Sequence, residues 1–329
     1  EWCYDNGRWG WTNTEGLPGL YMQIQYLRTG DPEIFFFAEA MARHVRDVDM
    51  RHAGMWLGQG TRHGVQHWSD GNHEERQTTH SEFRHHYFLT GEGRSRDFAQ
   101  LLYDEVYSQR NVRVHAAHSG RTQGLLTWWE MTGEDEVESI LERYLPCFIT
   151  PEGIAISPDV RFPAVECVAQ EGVNEPNMFF WVFGAGHALL DYYELTGNRA
   201  LREALIKTAD AALAAGSDPG MLRKAVAFAA MYADDPQPYR DYLAAHVADN
   251  RMAVQVVPHN PEFYGASRGM LRGSVPGSLF FMNDLTCMMN ALDGDPELSP
   301  EVQAEIARLD AEGGAPYTPK LLSWQSEYD

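Results

Sequence analysis

The chain has 329 residues, 44% of them hydrophobic, and a formal net charge of −21 at pH 7. That length and apolar content suffice for one large domain or two ordinary ones. The negative charge argues against nucleic acid and against an anionic membrane surface as partners, and no apolar run has the length of a membrane-spanning helix.

A short motif recurs along the chain and predicts where one helix ends and the next begins. Its first copy is Thr29-Gly30-Asp31-Pro32. Glycine suits the left-handed conformation after a helix, Asp or Asn caps the following helix, and Pro fits its first turn. Further copies start at Thr90, Thr132, Thr196 and Asp293, and a degenerate copy spans 233–236.

The segments around these turns have the apolar spacing of amphipathic helices. Leu20 and Ile24 precede the first turn, and Ile34 follows it at the start of a similar pattern. The later turns have comparable flanks. No segment alternates convincingly as a series of strands, although short strands could lie in 146–170 and 250–265.

Six helical hairpins in series, each too small to bury its own apolar face, predict a closed or stacked array. An all-α (α/α)6 toroid is the natural closure, and an open superhelix is the alternative. We expect one toroid domain over residues 1–329 within a longer multidomain protein. The links between hairpins are long, which would gather loops on one face where sites are often built: 48–79, 108–120, 146–178 and 250–280.

The four cysteines show no metal-ligand spacing. A disulfide between Cys147 and Cys167 fits an exported protein, but buried free thiols are the favoured interpretation.

Six of the 13 histidines fall between residues 63 and 86. In the first part of this segment, His63, His67 and Trp68 are predicted to contact substrate. Together with His73, the same two histidines could instead hold a divalent metal such as zinc, or calcium could be bound. We expect no required cofactor.

The second part of the histidine-rich segment begins a helix. His80 lies ten residues before Thr90, and Asn283 lies ten before Asp293. Both polar residues therefore start a helix that leads into a turn, on the long-loop face, where free N–H groups favour anions. Arg84 lies one turn from His80 on the same face. The alternative is a simple capping segment with a surface histidine.

Further polar candidates lie in the other long loops. Tyr264, Arg268 and Arg272 occur among glycines, which let the backbone approach a ligand, and this favours function. Asn177 suits a helix cap that points into a cleft. An Arg/His patch in 62–86 or 251–272 would reverse the overall negative field for an anionic substrate.

Four more residues are predicted to contact substrate, with surface or core packing as the alternative. His118 and Arg121 lie at the third hairpin, and Trp11 and Asn13 lie in an N-terminal aromatic run that suits a cleft rim.

Several motifs resemble the exo-rhamnogalacturonan lyase and YetA-like family. They are the Gln-His-Trp loop at 66–68, the Thr-His-Ser-Glu start at 79–82, the His-Tyr-Phe-Leu-Thr-Gly run at 86–91 and the opening Tyr-Asp-Asn-Gly at 4–7. The likeness covers roughly 1–200. It implies a toroid beside β-sandwich domains, an acidic polysaccharide such as rhamnogalacturonan or ulvan as substrate, and chemistry by His with Arg or Tyr.

Such a lyase would act by β-elimination at a uronic acid. This reaction needs a group that neutralises the carboxylate, a base for the C5 proton and an acid for the leaving oxygen. We therefore assign His80 and Tyr264 as the base and acid pair. Arg268 or Arg84, with Asn177, would hold the carboxylate.

Two rival functions stay open. A glycoside hydrolase acting on uronide-containing oligosaccharides needs paired carboxylates, which the loops supply, and it would form no double bond. A non-catalytic glycan-binding toroid would leave the oligosaccharide intact. The expected location of the protein is secreted or periplasmic.

Overall fold

Helices make up most of the described part of the protein, a computed structural model. The residues that it describes are 2–3, 11–12, 17–60, 81–107, 113–114, 120–154, 159–161, 166–168, 181, 184–216, 222–248, 287–288, 291–292, 300, 303–304 and 307.

Within these residues the α-helices occur as five consecutive pairs, each joined by a tight turn at a predicted position. The sixth predicted turn, at Asp293, lies outside the described residues. The pairs are α1 (Pro18–Thr29) with α2 (Pro32–His44), α3 (Ser81–Thr90) with α4 (Gly93–Leu102), α5 (Gly120–Thr132) with α6 (Asp135–Tyr144), α7 (Ala185–Thr196) with α8 (Arg199–Ala214), and α9 (Arg223–Tyr232) with α10 (Gln237–Ala248).

The turns confirm the predicted role of glycine and reveal a second role for threonine. Gly197 has a φ of 65°, in the left-handed region. The Thr196 hydroxyl donates to the Tyr192 carbonyl at 2.6 Å and accepts from the Asn198 N–H at 3.3 Å. It thus adds a second donor to a carbonyl in the last part of the helix and satisfies one amide of the turn. The same pair of bonds forms at Thr29, Thr90 and Thr132.

The predicted side-chain caps form in two of these four turns. Asp31 accepts from the Glu33 N–H at 2.9 Å, and Asn198 accepts from the Leu201 N–H at 3.0 Å. Where the position is a glutamate, at Glu92 and Glu134, the side chain makes no cap bond, because the longer side chain suits this geometry less well.

The helices form two layers. Each odd-numbered helix packs against the next odd-numbered helix, and these helices form the inner layer. The even-numbered helices pack on the outside of the inner layer. The inner helix α5 is buried continuously from Gly120 to Trp128, whereas the outer helix α6 buries only Val137, Leu141 and Tyr144. A helix that is buried all round belongs to the interior, and a helix with one apolar stripe covers it. This is the predicted arrangement of an α/α toroid.

Short antiparallel strands lie in the connections. β1 (Trp2–Cys3) pairs with β2 (Trp11–Thr12), and β4 (Ile149–Thr150) pairs with β5 (Gly153–Ile154). The strands predicted within 146–170 are therefore present, and those predicted in 250–265 lie outside the described residues. A three-stranded sheet has the order β3 (Arg113–Val114), β6 (Asp159–Arg161) and β7 (Glu166–Val168).

The outer helices α2 and α4 each continue into one π-helical turn, Val45–Asp49 and Tyr103–Tyr107, and α6 continues into a 3-10 turn, Leu145–Phe148. Arg46 in the first π-helical turn is 2% exposed. It donates to Glu92 at 2.8 Å and to the Ser95 hydroxyl at 2.9 Å. The hydrogen bonds of Arg46 to Glu92 and Ser95 thus connect the first hairpin to the second.

Cys147 is disulfide-bonded, so the free-thiol prediction is wrong for this residue. Cys287 is half-buried and is not disulfide-bonded. Among the described helices, none combines the length and the apolar character that a bilayer span requires.

The turn threonines should stabilise the hairpins measurably. We expect Thr196→Ala to lower the free energy of unfolding by about 1 kcal/mol, because it removes both hydroxyl hydrogen bonds. Thr196→Ser keeps them and is the matched control. Urea unfolding measures both variants, and equal stability of the Ala and Ser variants would contradict the assignment.

Stability should also depend on the protonation of His86, whose Nδ1 lies 2.8 Å from the Ser95 hydroxyl. Burial lowers the pKa of His86 below its ordinary value of 6.5, although Glu92 opposes the shift. The unfolded chain therefore binds more protons below pH 6.5, and the free energy of unfolding falls as the pH decreases through that value. The loss in urea midpoint between about pH 7.5 and about pH 5.5 should be smaller in His86→Gln. An identical loss in both proteins would refute this origin.

Candidate functional site

The first turns of the inner helices converge at one end of the structure. A β-carbon at Gly19, in the first turn of α1, would overlap the Glu82 carboxylate in the first turn of α3. A β-carbon at Gly184, which caps α7, would overlap the Gln123 amide in the first turn of α5. Glycine at these positions allows polar groups of neighbouring helices to approach closely.

Tyr21 of α1 joins two further helices at this end. The Lys224 ammonium of α9 lies 4.9 Å from the centroid of the Tyr21 ring, within cation–π range. The His187 ring of α7 meets Tyr21 edge-on, with centroids 5.4 Å apart. Lys224 is 1% exposed and also donates to the Trp181 carbonyl at 3.5 Å. A buried lysine and a buried histidine thus flank one tyrosine.

The contacts continue from His187 through two ion pairs. His187 Nε2 lies 3.5 Å from Asp191 Oδ1, and the other carboxylate oxygen of Asp191 accepts from Arg84 at 2.8 Å. Arg84 also pairs with Glu130 at 2.6 Å. The full series connects α9, α1, α7, α3 and α5, and we call it the axial chain: Lys224, Tyr21, His187, Asp191, Arg84 and Glu130.

The protonation states along the axial chain follow from burial and charge. Burial lowers the pKa of His187, with Lys224 and Arg84 acting in the same direction and Asp191 opposing. Burial also opposes ionisation of Asp191, but His187 and Arg84 outweigh it and its pKa is lowered. Burial raises the pKa of Glu130 despite Arg84. The site therefore holds a neutral imidazole beside a carboxylate at neutral pH.

Several buried polar atoms near the axis make no hydrogen bond in the described part of the chain. They include both amide atoms of Gln23, which is 1% exposed, and Nδ1 of His187. The Thr127 hydroxyl and the Trp128 indole N–H behave likewise. Buried polar groups are normally paired, so these atoms are candidates for contacts with a ligand or with residues outside the described part of the chain.

Three sequence-predicted site residues lie in the described structure. Arg84 already contacts two protein carboxylates. Arg121 is the second residue of α5 and is entirely buried among the converging first turns. Trp11 lies in β2, paired with Cys3. None of these placements tests a catalytic or substrate-binding role, which stays a prediction for each.

The other predicted site residues lie outside the described residues. They are Asn13, His63, His67, Trp68, His73, His80, His118, Asn177, Tyr264, Arg268, Arg272 and Asn283. Among the residues that are described, no group of three His, Cys, Asp or Glu side chains is placed to hold a metal ion.

Sequence reasoning did not select Tyr21, His187 or Lys224 as site residues. The sequence contained a signal for two of these three residues. His187 lies nine residues before Thr196, where an inner helix starts, and Lys224 is one of three lysines in the chain. Tyr21 gave no signal, because its spacing is that of an ordinary core residue.

Comparisons with known proteins agree with this architecture. Residues 1–148 match the family model of the PcRGLX-like protein C-terminal alpha/alpha toroid domain. The match confirms the predicted family resemblance and the α/α toroid. It covers α1 to α6, and His187 and Lys224 lie beyond it.

A curated relative is similar to part of the chain. The chain is 37% identical over 107 residues to the uncharacterized protein YetA of Bacillus subtilis (strain 168). The aligned region is 32% of this chain and 12% of YetA, so the chain spans a small part of that relative.

Arg84 should be a major determinant of stability. Arg84→Leu would leave the carboxylates of Glu130 and Asp191 without their shared cation, and breaking such a pair should lower the free energy of unfolding by about 3 kcal/mol. Arg94→Leu is the control, because Arg94 is 63% exposed in its pair with Asp47 and should contribute less than about 1 kcal/mol. Equal losses in the two variants would contradict the assignment.

Proposed function

We propose that the protein cleaves an acidic polysaccharide that contains uronic acid, such as rhamnogalacturonan or ulvan, by β-elimination. The observation that carries the proposal is the convergence of cationic, imidazole and phenol side chains at the first turns of the inner helices. The match of residues 1–148 to the PcRGLX-like toroid supports a polysaccharide as the substrate.

β-Elimination requires a positive environment for the uronate carboxylate, because neutralising that group makes the C5 proton acidic. Arg121 lies in the first turn of α5, where the free N–H groups of the helix also favour an anion. The proposal adds Arg268 and Asn177 as carboxylate ligands. Arg84 is a weaker candidate, since two protein carboxylates already occupy it.

Proton transfer in the proposal uses His80 as base and Tyr264 as acid, with the long-loop residues as substrate contacts. His80 directly precedes α3, one residue before Ser81. The start of α3 lies beside the start of α1, because Glu82 packs on Gly19. The chain therefore enters the converging first turns directly after His80, which itself lies outside the described residues.

A secreted or periplasmic location belongs to the same proposal. The overall charge of −21 repels an acidic polymer, so a local cationic cluster is needed to bind it. The disulfide at Cys147 supports export, because disulfides persist in oxidising compartments.

One observation favours a glycoside hydrolase as the second candidate. Glu130 and Asp191 both bind Arg84, and their pKa values shift in opposite directions. Two carboxyl groups whose pKa values are driven apart are the usual acid and base of such an enzyme.

Product analysis distinguishes the candidates. The protein is incubated with pectic, ulvan and glucuronan oligomers, and the products are followed by ultraviolet absorbance and mass. We expect products with a new double bond and no added water, and a large loss of activity in His80→Ala and Tyr264→Phe. Products that carry an added water and no double bond would support the hydrolase, and intact oligomers would support a binding protein.

A further inference from the structure

We propose that His187 is the group that accepts the C5 proton, through Nδ1, and that Asp191 positions its ring. This inference rests on the β-elimination of the proposed function but replaces its base, because His187 takes the role given there to His80. His80 then becomes a substrate contact at the start of α3.

The tautomer of His187 follows from its neighbour. Nε2 lies 3.5 Å from Asp191 Oδ1, and an ionised carboxylate can only accept a hydrogen bond. Nε2 therefore carries the proton, which leaves the lone pair of the neutral ring on Nδ1. Nδ1 has no hydrogen-bond partner among the described residues, although the side chain is only 8% exposed.

The location of His187 suits a reacting group better than a packing residue. It is the third residue of α7, at the end where the inner helices converge. His86, which is also buried on an inner helix, likewise leaves one ring nitrogen, Nε2, without a partner among the described residues, while its Nδ1 lies against Ser95 and Glu92. The two histidines therefore differ in position, because His86 follows the first turn of α3, whereas His187 lies within the first turn of α7.

The charges around His187 keep it ready to accept a proton. The cations that face it are Lys224 from α9 and Arg84 from α3, and the facing anion is Asp191. His85 acts on Asp191 in turn, and Tyr21 from α1 packs against the ring. The two cations and burial hold the imidazole neutral, while Asp191 stabilises the imidazolium that forms during the reaction.

The proposed step is an elimination across C4 and C5 of the uronate. The C5–H bond breaks and its proton goes to Nδ1 of His187, while its electron pair forms the C4=C5 double bond. The C4–O bond breaks, and the leaving oxygen takes a proton from Tyr264. The enzyme returns to its starting state when His187 releases its proton to water and Tyr264 regains one.

The first test is a kinetic comparison of two glutamine variants in the full chain. In His187→Gln the amide can still donate to Asp191 but cannot accept a proton, so we expect kcat to fall about 100-fold or more with little change in KM. His86→Gln is the matched control and should keep the kcat of the wild type. Circular dichroism and urea unfolding establish that each variant is folded.

The second test uses pH and needs no change at His187. The acid limb of the kcat/KM profile reports the ionisation of the base in the free enzyme. Lys224→Met removes a facing cation and should move that limb to higher pH. Asp191→Asn removes the facing anion and should move it to lower pH. Imidazole NMR of the substrate-free protein should show the His187 resonance titrating at the same midpoints.

The outcomes separate this inference from the proposed function. A wild-type protein that forms unsaturated products, together with a folded and fully active His187→Gln, would overturn the role of His187 alone. An acid limb that stays in place in both charge variants would overturn it too. A wild-type protein that forms no unsaturated product contradicts the proposed function and the role of His187 with it.

Discussion

The buried charge of Arg84 is neutralised by two carboxylates, those of Glu130 and Asp191. These ion pairs fix the inner helices relative to one another. The side chain is 5% exposed and belongs to α3, while Glu130 comes from α5 and Asp191 from α7. A buried cation without partners would destabilise the fold by several kcal/mol. The requirement therefore holds three inner helices together. It also orients Asp191 so that its second oxygen faces His187.

Small residues make this arrangement possible at the first turns of the same helices. Gly19 lies against the Glu82 carboxylate and Gly184 against the Gln123 amide, and the Trp181 ring lies on Gly186. Any larger residue at these positions would separate the helices and the polar groups between them. The close contacts between the inner helices thus also bring together the imidazole of His187, the phenol of Tyr21 and the ammonium of Lys224. Packing and the proposed chemistry therefore depend on the same helix contacts.

The hairpins could be predicted from the sequence because their signals are local. Thr196, Gly197 and Asn198 act within one turn, and their chemistry is visible without the rest of the chain. The axial chain could not be predicted, because Arg84 and Asp191 are 107 residues apart. Periodicity shows which side of a helix is buried but not which neighbour faces it. The sequence left a disulfide at Cys147 open but favoured a free thiol, because the pairing of two distant cysteines is not a local signal. Most predicted loop residues lie outside the described part of the chain.

The central claim is that the converging first turns of the inner helices form the site of reaction. A crystal structure of His187→Gln with a bound uronic-acid oligosaccharide tests it most directly, because the variant would bind the substrate without consuming it. The account predicts a uronate whose carboxylate lies beside Arg121 and whose C5 faces residue 187. An oligosaccharide bound on the outer helices, with the axial chain unchanged and closed to it, would contradict the account.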